Sequence, residues 1–214
     1  MNDATAENAK QRLTANLEIP LLGDLVAAYF KPGQPFAGRT FDCLGQNPPD
    51  EVVADDLLAV TLLDVRWTPL AVRSLLFERT TEVRELLGQI DSQTDLWAEG
   101  GGKELDASLP LWELLDNLDE VGDTKASKLL ARKRPRLIPI TDSIIASAVG
   151  TPGHTWPTLR LCFQDQRFRE KLENLRPDGA EGMSLLRIFD VAIWMLYSRS
   201  KAARKARREV GLTP

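Results

Sequence analysis

Residues 184–198, SLLRIFDVAIWMLYS, carry apolar side chains on nearly every side of a helix. A helix of that kind must be enclosed by other elements, so it belongs at the centre of a core. The rest of the chain reads as shorter helical stretches cut apart by proline and glycine. Leu21, Leu22, Leu25, Val26 and Tyr29 keep helical spacing until Pro32 and Gly33 interrupt it, and residues 4–17 fit a polar helix before them. Residues 31–51 are rich in Pro and Gly and predict a long connection, with a short extended piece at Arg39–Leu44. Asp50 or Asp55 is placed to cap a helix through LLAVTLLDV, and Thr68-Pro69 opens the next in cap-then-proline order. Residues 91–107 predict a loop with Gly100, Gly101 and Gly102 as a flexible point, and Ser108-Leu109-Pro110 opens another helix. Helices near 156–175 and 184–199 close the body. The expectation is an all-α, multi-helix globular domain of roughly ten helices.

At 214 residues the chain is long enough for a full hydrophobic core, and 43% hydrophobic with 27% charged residues is ordinary globular composition. The polar N-terminus, MNDATAENAKQRL, lacks the apolar core of a signal peptide, and no apolar run is long enough to span a bilayer, so no membrane association is expected. Cys43 and Cys162 are too few for a disulfide framework, which points to a reducing cytoplasm. His154 is the lone histidine, excluding a His-centred triad or two-His metal site within one chain. Asp55-Asp56 and Asp119-Glu120 are adjacent acid pairs whose side chains diverge on a helix, so no metal site is expected. P-loop, Rossmann and nucleophile-elbow patterns are absent.

The net charge of −4 conceals an uneven distribution. Residues 125–136 (KASKLLARKRPR) carry +6 and residues 199–209 (RSKAARKARRE) carry +5, leaving −15 on the remainder. Two basic segments on an acidic body suit local phosphate binding, or two solvated helix faces.

Residues 111–145, LWELLDNLDEVGDTKASKLLARKRPRLIPITDSII, read as helix, tight turn, helix, then an extended crossing into another helix. Leu115, Leu118, Val121, Ala126, Leu129 and Leu130 can pack the helices together, and Gly122 permits a backbone that a side chain resists. Amides at the start of the second helix attract an anion, and the basic run downstream adds nonspecific affinity for a nucleic-acid backbone. This segment resembles the helix-hairpin-helix superfamily of DNA glycosylases. Leu118–Ala126 lies on its L-P-G-V-G-x-x-T-A hairpin, and Ile140–Ile144 on its V-D-T-H segment. Asp119-Glu120 stands where the family has Pro-Gly, Ser143-Ile144 where it has Thr-His, and the four-cysteine iron–sulfur motif is missing.

The resemblance implies a helix-hairpin-helix element at 110–133 that contacts duplex DNA backbone without strong sequence preference, through Val121, Gly122, Thr124, Lys125, Lys128, Arg132, Lys133, Arg134 and Arg136. It puts Asp142 in the role of catalytic carboxylate for monofunctional cleavage of an N-glycosidic bond in DNA repair. Thr124 stands where bifunctional members carry a lysine nucleophile, which argues against lyase chemistry. No cofactor is expected beyond a monovalent cation at the hairpin backbone. Asp142 is also well placed to cap the helix after it through its side-chain oxygen, the role its position favours, and the two roles can coexist. Trp97, beside the Gly-rich loop, and Trp156, beside Pro157, are the tryptophans suited to base stacking, whereas Trp112 and Trp194 stand on apolar stripes. A reading of another class has the hairpin reused for protein contact, with Asp119 and Glu120 meeting a basic partner. Residues 36–65, with the 185–198 helix, also resemble an actinobacterial family of uncharacterised proteins. The organisation expected is one mainly helical domain over 1–214, with a polar N-terminal helix or arm at 1–18 and a basic C-terminal tail at 199–214, either a partly disordered arm on nucleic acid or a solubilising end.

Overall fold

The computed structural model describes residues 3–212, and among them every regular element is helical. The twelve α-helices are α1 (Asp3–Leu17), α2 (Leu22–Phe30), α3 (Ala54–Thr61), α4 (Pro69–Arg73), α5 (Thr80–Gly88), α6 (Gly101–Asp116), α7 (Gly122–Lys133), α8 (Ser143–Val149), α9 (Thr155–Gln164), α10 (Gln166–Asn174), α11 (Leu185–Tyr197) and α12 (Lys201–Glu209). A 3-10 turn spans Ala37–Thr40, and a π-helical turn spans Ser74–Glu78 between α4 and α5. The ends of the expected 1–18 and 199–214 segments, residues 1–2 and 213–214, lie outside the described residues.

The single domain expected from length divides into two compact units: residues 1–36 with 141–214, and residues 37–140. The break after Phe36 falls within the Pro/Gly-rich connection of residues 31–51.

In the first unit α11 is the hub that its all-round apolarity predicts: it packs against α2, α8, α10 and α12, and ten of its residues are buried. Phe163, Phe168 and Phe189 meet at 5.4–6.1 Å between ring centroids. Tyr29, Phe36 and Trp194 make a second aromatic cluster. The Arg187 guanidinium is enclosed with Asp190 and donates to the Tyr29 hydroxyl at 3.1 Å. The expected tail is an ordered helix, α12, capped by Ser200, whose Oγ accepts from the Ala203 amide at 3.1 Å.

The second unit is built on α6 packed against α7, with α3 against α7 and α5 against α6. Thr68 caps α4 as expected, accepting from the Ala71 amide at 3.1 Å. For α3 the cap differs: Asp56, inside the helix, accepts from the Val53 amide at 2.9 Å, while Asp55 accepts from Gln46 N and Asp50 pairs with Arg134. Two further expectations are corrected. Arg39–Leu44 forms 3-10 and turn structure rather than an extended piece. Helix α6 begins at Gly101, not Ser108, and contains Pro110. Gly101 is a point of close approach rather than a hinge, since a Cβ there would lie 2.4 Å from the Leu96 carbonyl oxygen.

Candidate functional site

The chain's longest basic run turns inward. Arg132, Lys133 and Arg134 are at most 3% exposed, and Lys128 is 5% exposed. Asp56, fully buried on α3, receives two cations: Arg132 Nε donates to Oδ1 at 3.0 Å and Lys133 Nζ to Oδ2 at 2.9 Å. The remaining donors of Arg132 go to the carbonyls of Phe41, Leu44 and Gln46. Lys133 also reaches Asn47 Oδ1 at 2.6 Å, and Asn47 returns a bond to the Arg132 carbonyl at 2.9 Å. Arg134 donates to the carbonyls of Ile90, Pro49, Lys133 and Leu87 and to Asp50 Oδ1. Lys128 Nζ donates to Leu63 O at 2.8 Å. Burial pulls the Lys133 ammonium below its ordinary pKa, against the opposing pull of Asp56.

The expectation that Arg132, Lys133, Arg134 and Lys128 form a phosphate-binding surface is therefore corrected. Their donors are directed to the loop 41–50, the ends of α3 and α5, and Asp56, because a buried guanidinium or ammonium needs hydrogen-bond partners inside the protein. Arg136 is exposed, and Asp95 grips it through two bonds of 2.9 and 2.7 Å, which raises its pKa. The cations of this stretch are thus internal struts or surface ion-pair members.

At the turn between α6 and α7, Val121 is buried, Gly122 is exposed, and Thr124 and Lys125 are half-buried. Glu120 (φ 50°) and Gly122 (φ 61°) both hold the left-handed conformation, at the positions where the resembled hairpin has glycines. The Lys125 ammonium donates to the Glu120 carbonyl, so a side-chain cation already takes a backbone oxygen of the kind a monovalent cation would use. Thr68 Oγ1 holds the Asp119 carbonyl at 3.2 Å. The charge around this turn is acidic: Asp119, Glu120 and Asp123 are exposed, and Asp116 is held above the usual carboxylate range by desolvation and by Asp123.

Asp142 belongs to the first unit, where it caps α8: its Oδ1 accepts from the amides of Ile144 and Ile145, both at 3.0 Å. The capping geometry expected for it is present. Trp156, in the same unit, is half-buried and donates from Nε1 to Thr141 Oγ1 at 2.9 Å, while Trp97 is half-buried in the second unit. Both tryptophans are partly enclosed rather than open platforms. Cys162 is buried, which pushes its thiol up to about 12, and Cys43 is exposed. No group of His, Cys, Asp and Glu suited to a metal ion occurs among the described residues.

Exposed positive charge gathers instead on α12. Lys201, Arg204, Lys205 and Arg208 are all exposed and fall at i, i+3, i+4 and i+7, within one face of the helix. Ala203, Ala206 and Arg207 form the opposite, buried face. Arg207 donates to the carbonyls of Met195 and Ser198, the last turn of α11, and so fixes the corner between the two helices. Burial lowers the Arg207 pKa. Beside that corner Ser143, Ile144, Ser147, Ala148, Tyr197 and Arg199 line an open cleft of about 490 Å3. The 185–198 pattern reads Tyr197 as core, yet the residue is 47% exposed; the signal that could have revealed it is its place at the last helical position, directly before Ser198 and Arg199.

Two all-helical units, one with an internal lattice of cations and one with an external basic helix, define the class of molecule. Residues 22–197 match the family of unknown function DUF6308, and the chain belongs to that family. Neither any curated protein nor any solved structure matches the chain. No helix among the described residues is long and apolar enough to cross a membrane.

Proposed function

We propose that this protein binds the backbone of nucleic acid without strong sequence preference, and that α12, rather than the run at residues 132–134, carries the contact. The observation behind this reading is the four-cation face of Lys201, Arg204, Lys205 and Arg208 on a helix anchored by its alanines and Arg207. The sole opposing acid on the helix is Glu209, 3.5 Å from Lys205 and exposed, a pair of little strength. A regular row of cations with i, i+3, i+4 spacing suits a row of phosphates, and contacts of this kind position a protein without reading sequence.

The test is duplex-DNA binding by fluorescence anisotropy across a salt series. Replacing Lys201, Arg204, Lys205 and Arg208 with Ala should flatten the slope of log K against log salt by about 3 to 4, close to one for each phosphate that is no longer neutralised. A parallel variant with Lys125 and Arg136 changed to Ala should bind like the wild type. Weakened binding confined to that second variant would return the interface to the hairpin; no binding at low salt would end the nucleic-acid reading.

Glycosidase chemistry has weaker support, since the Asp142 carboxylate already holds two amides of α8. A second reading is favoured by the acids at the α6–α7 turn: the turn as a docking point for a basic protein partner. Titration with an arginine-rich peptide, compared between the wild type and Asp119→Asn with Glu120→Gln, tests it, and equal affinity for both would reject it.

A further inference from the structure

The α11–α12 corner brings together four chemistries on one cleft: an aromatic face, a guanidinium, two hydroxyls and an apolar wall. Tyr197 is half-exposed, but its hydroxyl donates to Asn16 Oδ1 at 2.7 Å, so the ring is held in place rather than free to swing. Ser143 and Ser147 lie one turn apart on α8, with Ile144 and Ala148 beside them. Arg199 is exposed in the three-residue link between α11 and α12, and the staple from Arg207 to the Ser198 carbonyl fixes the residue before it.

We propose that this cleft takes one unpaired nucleotide of a nucleic-acid strand, with the base against the Tyr197 ring and a phosphate on Arg199. The proposal rests on the reading of α12 as a backbone-binding helix and names the strand form that the same surface prefers. Every base has a π-face, so a fixed aromatic ring receives a base without regard to sequence. The apolar wall of Ile144 and Ala148 suits the sugar carbons, and the serine hydroxyls suit the polar edge of the base and the phosphate oxygens. A space of about 490 Å3 is of the size that small-ligand sites have. The cleft is open at one side, as it must be for a strand that continues beyond it. Lys201 follows Arg199 by two residues, so a phosphate on Arg199 lies at the head of the α12 cation row. A base paired within a duplex keeps its faces stacked on its neighbours and cannot use this ring, so the site selects single strands, gaps or frayed ends.

The experiment compares a labelled single strand of about 12 nucleotides with the same sequence as a duplex, using the full chain and the variants Tyr197→Ala and Tyr197→Phe. Tyr197→Ala should weaken single-strand binding by about tenfold or more and leave duplex binding within about twofold. Tyr197→Phe, which keeps the ring but loses the Asn16 bond that holds it, should fall between the wild type and Tyr197→Ala, so the contribution of the ring is read apart from that of the bond. In parallel, thymidine monophosphate is titrated while the amide resonances of Ser143, Ser147 and Arg199 are followed, and shifts confined to that corner are expected. Equal single-strand binding by Tyr197→Ala and the wild type, with those amides unmoved, would overturn the cleft while the α12 reading stands. Oligonucleotides that fail to bind while the mononucleotide still moves those amides would sustain the cleft and remove the α12 reading. No response to either probe would overturn both.

Discussion

Asp56 is the residue on which the second unit turns. Its carboxylate lies between an arginine and a lysine that are both out of solvent, and it also caps the start of α3. Taking one partner from a buried ion cluster leaves charge without compensation, which costs about 3–5 kcal/mol. Asp56→Asn should therefore lower the stability read from urea unfolding by that order, whereas Asp55→Asn, whose side chain holds one exposed amide, should cost under about 1 kcal/mol. Equal midpoints for the two variants would refute the strut role. Glu120 makes the opposite case. It holds φ at 50° at a turn, where a side chain costs about 1 kcal/mol that glycine avoids. Glu120→Gly should raise stability by about 0.5–1 kcal/mol and keep the Lys125 bond, which uses the backbone oxygen. A lower melting temperature would show that the Glu120 side chain contributes more than its backbone strain removes.

Among the elements, what could be read from sequence divides by the reach of the interactions. The caps supplied by Thr68 and Asp142 were legible because each side chain bonds amides two or three residues ahead. The central place of α11 was legible because its apolar residues leave no face for water. The fate of Arg132–Arg134 was not: Arg132 meets Asp56 from 76 positions away and Phe41 from 91, and a run of charges carries no local mark of which acids or carbonyls will surround it. The same limit hid the start of α6, since the carbonyls crowding Gly101 follow from how the chain doubles back and not from its composition. Helix α12 shows both sides of the matter. Its basic content was plain, but the division of labour between Arg207 and the four exposed cations required the fold. Arg207→Ala removes two bonds to the last turn of α11 and should cost about 2 kcal/mol of stability. Changing the four exposed cations to Ala should leave the melting temperature nearly unaltered, because Ala is the best helix former and those side chains face solvent. Thermal melts of the two variants side by side check this; the reverse order would mean that α12 is not anchored through Arg207.

For the whole molecule, the partition of interactions says which part can stand alone. The lattice partners named above, from Phe41 to Arg134, fall within residues 37–140. The helix pairs α6–α7, α3–α7 and α5–α6 are likewise internal to that stretch. The other unit depends on two separated pieces of chain, since α2 packs on α11 and α1 on α9. A fragment of residues 37–140 should accordingly fold by itself and unfold in one cooperative urea transition, with a slope of about 1–3 kcal/mol per molar urea. Its stability should fall with Asp56→Asn by the same amount as in the full chain, because the carboxylate, both cations and the loop that surrounds them all travel with the fragment. Residues 1–36 alone should be unstructured by circular dichroism, having lost α11 and α9, the surfaces on which α2 and α1 bury their apolar faces. A fragment 37–140 that unfolds without cooperativity, or that is indifferent to Asp56→Asn, would show that the lattice needs the other unit to hold its geometry.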